Sequence, residues 1–225
     1  MRLSIIVPVL NEAHDIEAAL TRLQPFRSRG HEIVVVDGGS ADGSGVLAEP
    51  LADRVITAPR GRAAQMNAGA GASQGDALLF LHADTRLPEH ADALIDSALA
   101  RRDWGRFSVR IDSRHPLLRV VGFMMNLRSR LTGIATGDQA LFVKRAVFEA
   151  VGGYPEIALM EDVALSARLK RAGPPACVRE TVVTSGRRWE RHGVMRTILL
   201  MWRLRLLYFL GADPRRLARL YTREH

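Results

Sequence analysis

The stretch Leu-Ser-Ile-Ile-Val-Pro-Val-Leu-Asn-Glu at residues 3–12 decides the fold class, because a short β-branched apolar run ends abruptly in polar residues. From Ile16 onward the apolar spacing becomes that of one helical face, with Asn11 as the expected N-cap. Further buried strands are predicted at 32–37, 54–58 and 77–81, and the helix after the last carries Pro88 in its first turn. Strands alternating with helices predict an α/β fold, a mostly parallel central sheet with helices on both faces.

The second half of the chain is less regular. Residues 104–112 alternate as an antiparallel or mixed strand would, and helices are predicted at 117–131, at 145–151 and from Glu161 to about Arg171, with a short strand at 140–143. No linker composition interrupts the chain before the tail. We therefore expect a catalytic domain at 1–186, with halves at about 1–86 and 87–186, and a helical tail at 187–225.

The charge of the chain lies in its tail. The 225 residues carry a net charge of +8, and residues 187–225 contain ten arginines and three acids, a net of +7. With 47% hydrophobic residues and one cysteine, Cys177, the composition excludes a disordered chain and a disulfide scaffold and fits a reducing, cytoplasmic location. A nucleic-acid partner is not expected, because the body of the chain is nearly neutral.

The tail has two interpretations. Residues 194–211 are apolar but interrupted by Arg196, Arg203 and Arg205, so they do not form a membrane-spanning helix. Arginines mixed with aromatic residues are typical of an interfacial helix on anionic lipid, which would place the chain peripherally on the inner face of the membrane. The alternative is a helix packed on the domain, or on a second copy in a homodimer.

Polar side chains follow each of the first four predicted strands. They are Asn11 and Glu12, Asp37, Arg60 to Arg62, and Asp84. Because parallel strands end at one edge of a sheet, these groups are expected to meet there, where α/β sheets bind ligands. Each alone also fits an ordinary turn, but four strand ends together favour a site.

Ordered motifs extend this pattern. They include Ile-Ile-Val-Pro-Val-Leu-Asn-Glu (5–12), Val-Val-Val-Asp-Gly-Gly-Ser (34–40), Asn67-Ala68-Gly69, Phe-Leu-His-Ala-Asp (80–84), Gly152-Gly153-Tyr154 and Glu161-Asp162. Over about residues 3–173 the chain resembles the family 2 glycosyltransferases of the GT-A fold. It is most similar to a compact bacterial subgroup with Arg-Gly-Arg-Ala-x-Gln-Met-Asn, Gly-Asp-Gln and Arg-Arg-Trp-Glu-x-His-Gly, here at 60–67, 137–139 and 187–193.

The resemblance implies a metal-dependent, inverting enzyme that moves a sugar from a nucleoside-diphosphate sugar to a hydroxyl acceptor. Guanidinium groups suit phosphate oxygens, so Arg60 and Arg62, flanking Gly61, are assigned to the diphosphate. The base and ribose are assigned to Pro8, Glu12 and Asp37. The full set of donor-binding residues is expected to be Pro8, Asn11, Glu12, Asp37, Arg60, Gly61, Arg62, Asn67, His82 and Asp84.

The metal is expected at Asp84. The family's Asp-x-Asp motif here reads His82-Ala83-Asp84, so Asp84 keeps the role of ligand for Mn²⁺ or Mg²⁺. His82 either takes over a hydrogen bond to the ribose or joins the metal ligands, which would favour Mn²⁺. His192 is a second candidate ligand.

The acceptor side is assigned to the acidic pair. Asp162 matches the family's general base, with Glu161 beside it, although acidic residues also favour the first turn of a helix for electrostatic reasons. Asp138, Gln139, Gly153 and Trp189 are expected to bind the acceptor. Ser185 stands where processive members have glutamine, so polymer synthesis is not expected.

Two other classes remain as alternatives. A sugar-phosphate nucleotidyltransferase would share the nucleotide-binding half but needs a lysine-bearing glycine-rich loop after the first strand, where this chain reads Val-Leu-Asn-Glu (9–12). A non-catalytic lipid- or nucleic-acid-binding module would explain the tail and leave the polar strand ends without a role.

Overall fold

The structure is a computed structural model that describes residues 1–223. The last two residues of the predicted tail, and the side chain of Arg188 in the closing motif, lie outside the described part. The strands are β1 Leu3–Val9, β2 Glu32–Asp37, β3 Arg54–Thr57, β4 Ala77–Phe80, β5 Thr85–Arg86, β6 Trp104–Asp112, β7 Phe142–Lys144 and β8 Ala176–Ser185. The helices are α1 Ile16–Thr21, α2 Gln24–Ser28, α3 Ser44–Ala48, α4 Arg62–Ala72, α5 Ala91–Leu99, α6 Pro116–Thr132, α7 Arg145–Ala150, α8 Glu161–Ala172, α9 Arg187–His192, α10 Val194–Phe209 and α11 Pro214–Arg223.

The strands form one sheet in the order β3-β2-β1-β4-β7-β6-β8-β5. The four strands β3, β2, β1 and β4 are parallel, as predicted, and their residues are buried on both faces in β1, β2 and β4. β6 runs antiparallel to β7 and parallel to β8, so the mixed pairing expected at 104–112 is confirmed. The predicted α/β class is confirmed with it.

Helices cover both faces of the sheet. Leu20, Phe26 and Ile95 pack on one face, and Met66 and Leu165 pack on the other. Gly69 lets α4 lie directly on the sheet, because a Cβ at this position would come within 2.5 Å of the Ile6 side chain. Such close approach of helix and strand is a common reason for glycine inside a helix.

The tail folds back onto the domain. Leu200 and Leu204 of α10 and Leu217 of α11 form an apolar cluster with Met160 and Val163 around the start of α8. An ion pair of 2.5 Å between Arg187 and Asp15 fixes the start of the tail beside α1. Packing on the domain is therefore what the structure shows for the inward face of the tail.

Two local predictions are wrong. Asn11 does not cap α1, which begins at Ile16; its backbone has φ of 55°, and its Oδ1 accepts a hydrogen bond from the Ala41 N–H. Pro88 does not lie in the first turn of α5, because that helix begins at Ala91, whose N–H donates to the Pro88 carbonyl.

The elements α2, α3, β5 and β8 were not predicted. In the range 1–223, no helix is sufficiently long and apolar to cross a membrane.

Candidate active site

One cavity of about 440 Å³ opens at the carboxyl ends of β1, β3 and β4. The predicted site residues on its wall are Pro8, Glu12, Arg60, Gly61, Arg62, His82, Asp84, Asp138, Glu161, Asp162 and Trp189. The sheet brings them together because the turns after parallel strands share one edge. Their chemical roles remain predictions.

Two exposed arginines stand at the start of α4. Arg60 and Arg62 flank Gly61, which precedes the first residue of the helix, and all three line the cavity. Burial raises the pKa of Glu161, on the same cavity wall, and the charge of Arg62 partly opposes that rise. Positive charge at a helix N-terminus makes this part of the wall suited to an anion.

Two carboxylates, Glu12 and Asp84, lie near each other on the same wall. Burial raises the pKa of Glu12, and the negative charge of Asp84 raises it further. In the described range, no three His, Cys, Asp or Glu side chains are grouped so that they could hold a metal ion by themselves. The donor set still fits Mg²⁺ or Mn²⁺, because such ions are usually held by one or two carboxylates together with substrate phosphates.

The imidazole of His82 packs against the turn at 137–139. A Cβ on Gly137 would lie 2.6 Å from Cε1 and Nε2 of the ring, so this position accepts only glycine without a shift. Nδ1 lies 3.6 Å from Oδ1 of Asp138, and Nε2 is buried without a hydrogen-bond partner in the described chain. The turn therefore covers the Nε2 edge of the ring and fixes its position on the cavity wall.

The acidic pair opens α8. Oδ2 of Asp162 accepts a hydrogen bond of 2.8 Å from the Gly137 N–H, and Oδ1 accepts one of 2.7 Å from the Val163 N–H. These bonds hold the carboxylate in one orientation at the cavity wall. Burial raises the pKa of Glu161, and the neighbouring charge of Asp162 adds to the effect.

Two residues predicted to bind the sugar donor, Asp37 and Asn11, support the wall of this cavity and do not line it. Oδ1 of Asp37 accepts hydrogen bonds from the N–H and the hydroxyl of Ser40, so Asp37 shapes the glycine-rich loop after β2. Asn11 joins the same loop to the end of β1, since its N–H donates to Ser40 and its Oδ1 accepts from Ala41.

A side-chain clamp holds the loop before α8. Asn67 donates to the Tyr154 carbonyl and accepts from the Tyr154 N–H, both at 2.9 Å, across 87 positions of sequence. Gly153 packs beneath this clamp, where a Cβ would lie 2.8 Å from Asn67 Oδ1. Asn67 and Gly153 therefore act on the position of the acidic pair, and neither lines the cavity.

Gln139 and His192 also lie off the cavity wall. The Gln139 side chain is fully buried and caps its own turn by accepting from the Thr136 N–H. Its assignment to acceptor binding is therefore wrong for the side chain. His192 is in the last turn of α9, and no group of metal ligands includes it within the described residues.

Sequence reasoning missed several wall residues. Gln65 lies between the ends of β1 and β2, where its Nε2 donates to the carbonyls of Val9 and Val36. The tail contributes Thr197, Met201, Arg205 and Tyr221. Arg205 could have been found from its spacing, because it follows Met201 by four positions inside an apolar run and so lies on the same helical face.

The chain can be compared with known proteins at this point. A family model described as glycosyl transferase family 2 matches residues 4–113. The chain belongs to glycosyl transferase family 2. Over 204 residues this family 2 chain is 29% identical to the succinoglycan biosynthesis protein ExoA of Rhizobium meliloti, an alignment that covers 75% of the chain and 58% of the relative.

A second relative is the PGL/p-HBAD biosynthesis glycosyltransferase of Mycobacterium bovis. It is 31% identical over 170 residues, which cover 67% of the family 2 chain and 62% of the relative. The chain thus spans about three fifths of the length of these two curated relatives.

The fold is shared with solved structures. The mannosyltransferase PcManGT from Pyrobaculum calidifontis, in complex with GDP-Man and Mn²⁺, superposes with a TM-score of 0.71 at 21% identity, covering 100% of this family 2 chain and 70% of that chain. The predicted GT-A fold is confirmed by this likeness.

Proposed function

We propose that this chain catalyses metal-dependent, inverting transfer of a sugar from a nucleoside-diphosphate sugar to a hydroxyl acceptor. The observation that carries the proposal is one cavity that combines exposed arginines, a carboxylate and an oriented acidic pair at the strand ends of a GT-A fold. That PcManGT holds GDP-Man and Mn²⁺ supports the class of donor.

The donor would lie along the first-half wall. Arg60 and Arg62 would bind the diphosphate, whose negative charge grows as it leaves, so their attraction is strongest in the transition state. Pro8 and Glu12 would contact the base and ribose, while Asn11, Asp37 and Asn67 would act by holding the loops around them.

Asp84 would hold the divalent cation, with the diphosphate oxygens supplying further ligands. When bound, the cation would stabilise the charge on the departing diphosphate. His82, on the same wall, would make one of its two predicted contacts, to the ribose or to the metal.

Asp162 would act on the acceptor. As the acceptor oxygen bonds to the anomeric carbon, the bond from that carbon to the diphosphate breaks and the hydroxyl proton passes to Asp162. The N–H groups of Gly137 and Val163 keep the carboxylate in place for this transfer. General-base catalysis of this kind contributes about 10²- to 10⁴-fold in rate.

The test uses the full chain and a panel of nucleotide sugars with Mn²⁺ or Mg²⁺. We expect release of one nucleoside diphosphate and a rise in melting temperature with that nucleotide and metal. Asp162→Asn should lower turnover about 10²- to 10⁴-fold without changing the nucleotide-induced rise, whereas Asp96→Asn, on α5, should leave both unchanged. Equal turnover by Asp162→Asn would refute the assignment of the base, and a panel without any response would refute the function.

We also propose that the outward face of α10 contacts an anionic membrane surface. Leu199, Trp202, Leu206 and Phe209 recur on one helical face, and Trp202 and Phe209 are 65% and 74% exposed. Arg196 and Arg203 on the same helix supply positive charge for acidic headgroups.

Co-sedimentation with phosphatidylglycerol vesicles tests this contact. The double variant Trp202→Ser with Phe209→Ser should lose binding, whereas Val46→Ser, an exposed apolar residue on α3, should keep it. A concentration-dependent dimer with no vesicle binding would assign the face to a second copy of the chain instead.

A further inference from the structure

Two arginines beside the acidic pair have no role in the mechanism above. Arg128 belongs to α6 and Arg205 to α10, and the Nε atom of each is buried without a hydrogen-bond partner among residues 1–223. Neither guanidinium forms an ion pair within 4.0 Å in that range. Both side chains are half-buried, and Arg128 Nη2 donates a hydrogen bond of 3.5 Å to the Ile134 carbonyl. A partly desolvated positive charge without an ion-pair partner is costly in free energy, so the pair calls for a ligand.

The two positive charges lie close to each other and to Asp162. Burial, with the positive charge of Arg205, lowers the pKa of Arg128 to about 10, so the group stays protonated at neutral pH. Burial also lowers the pKa of Arg205, while the charges of Asp162 and Asp138 act against that effect. The carboxylates therefore attract the arginines from a distance without forming ion pairs with them.

Arg205 faces the cavity. Thr197, Met201 and Arg205 follow each other at intervals of four residues, so they share the face of α10 that lines the wall with Asp162. Arg128 is not on the wall, but it lies close enough to Arg205 for the two charges to interact. The diphosphate of the donor already has Arg60 and Arg62, which leaves Arg205 for the other substrate.

We infer that Arg205, backed by Arg128, binds a phosphate group carried by the acceptor. A guanidinium matches phosphate oxygens with two parallel hydrogen bonds, and a half-buried one does so with less competition from water than an exposed one. An anionic acceptor must also approach Asp162 and Glu161, and the two arginines offset the repulsion it would meet. The inference rests on the proposed transfer and specifies the chemical class of its acceptor.

Binding of inorganic phosphate is the first test. In an Arg60→Met, Arg62→Met background, which removes the proposed donor contacts, phosphate should raise the melting temperature above that in chloride of equal ionic strength. Adding Arg205→Met should weaken this binding about 10- to 150-fold, as expected for loss of a hydrogen bond to a charged group. Arg196→Met, an exposed arginine on the same helix, should leave the phosphate response intact.

The source of the phosphate is distinguished by two probes. Glycerol phosphate in solution represents a soluble acceptor, and an isoprenyl phosphate in phosphatidylcholine vesicles represents a lipid-linked one. Binding of either probe that depends on Arg205 supports the inference and names the source. Binding of neither overturns it, as does a phosphate response that Arg205→Met leaves unchanged.

A stability measurement separates ligand binding from a structural role. If the arginines serve a ligand, Arg128→Met and Arg205→Met should keep or raise the melting temperature, because replacing buried charge by an apolar side chain of similar size is often stabilising. A clear fall in both variants would indicate a structural role and overturn the inference. Stabilisation by nucleoside diphosphate with Mn²⁺ should persist in Arg205→Met, so failure here leaves the proposed donor site standing.

Discussion

Replacing Gln65 by glutamate tests how the donor edge of the sheet is held together. The Gln65 side chain is 3% exposed, and its Nε2 donates hydrogen bonds of 2.9 and 2.8 Å to the carbonyls of Val9 and Val36. Gln65→Glu keeps the shape but puts a carboxyl oxygen against two carbonyl oxygens. The variant thus changes hydrogen bonding and charge at the ends of β1 and β2 and little else.

The expected loss follows from those two contacts. Each of the two hydrogen bonds contributes about 1 kcal/mol, and the new carboxyl oxygen, buried without a donor, costs about 1–3 kcal/mol more, which gives an expected loss of about 3–5 kcal/mol at pH 8. At pH 5 the protonated acid can donate to one carbonyl, which restores about half. Burial raises the folded-state pKa of the new carboxyl, so the variant loses stability as pH rises, by up to about 1.4 kcal/mol per pH unit between its unfolded and folded pKa values.

Thermal unfolding at pH 5 and pH 8 measures the effect. For a chain of this size about 2–4 °C is lost per kcal/mol, so Gln65→Glu should melt about 6–20 °C below the natural chain at pH 8 and closer to it at pH 5. Gln65→Met, which has similar length and no charge, should show a deficit that does not depend on pH. A Gln65→Glu deficit below 2 °C, or one equal at both pH values, would refute the reasoning.

Three further predictions concern the clamp, the helix contact and the metal. Asn67→Ala should lower the free energy of unfolding by about 2–4 kcal/mol and slow sugar transfer, because two hydrogen bonds to the Tyr154 backbone disappear. Urea unfolding measures the first effect and kcat the second, and an unchanged kcat would contradict the clamp's effect on Asp162. Gly69→Ala should destabilise the fold by about 1–3 kcal/mol through overpacking against the sheet, whereas Gly71→Ala, in open space on the same helix, should stabilise it by about 0.4–1 kcal/mol. A higher melting temperature for Gly69→Ala than for Gly71→Ala would show that α4 does not pack on the sheet at Gly69. Asp84→Asn should abolish the Mn²⁺-dependent part of nucleotide stabilisation and keep the metal-free part, and retention of the metal effect would place the cation elsewhere.

The sequence was sufficient for the parts of the fold that periodicity controls. The runs that form β1, β2 and β4 are buried on both faces, which made their apolar character continuous and their ends easy to see. Their polar ends then met at one edge, as parallel pairing requires. The acidic pair was located in the same way, since Glu161 and Asp162 begin α8.

What the sequence did not reveal depends on long-range contacts. The first six residues of β8 are exposed or half-buried, so its sequence has neither the strict alternation nor the apolar run that predicts a strand. The Asn67 clamp joins residues 87 positions apart, and the contact of His82 with Gly137 joins residues 55 positions apart. Local sequence patterns do not reveal contacts of this range. Gln65 and Arg205 were hidden because a polar residue in a helix usually faces water, and only the packing shows that these two do not.

The cavity is built from segments that lie at opposite ends of the chain. One wall comes from turns before residue 90, and another comes from α10 and α11, which also supply Thr197, Met201 and Arg205. A recombination event that exchanges only the end of the coding sequence would therefore replace one wall and leave the strand-end turns intact. If the tail wall binds the acceptor as proposed, such an exchange would change the acceptor in one step and keep the donor side of the site.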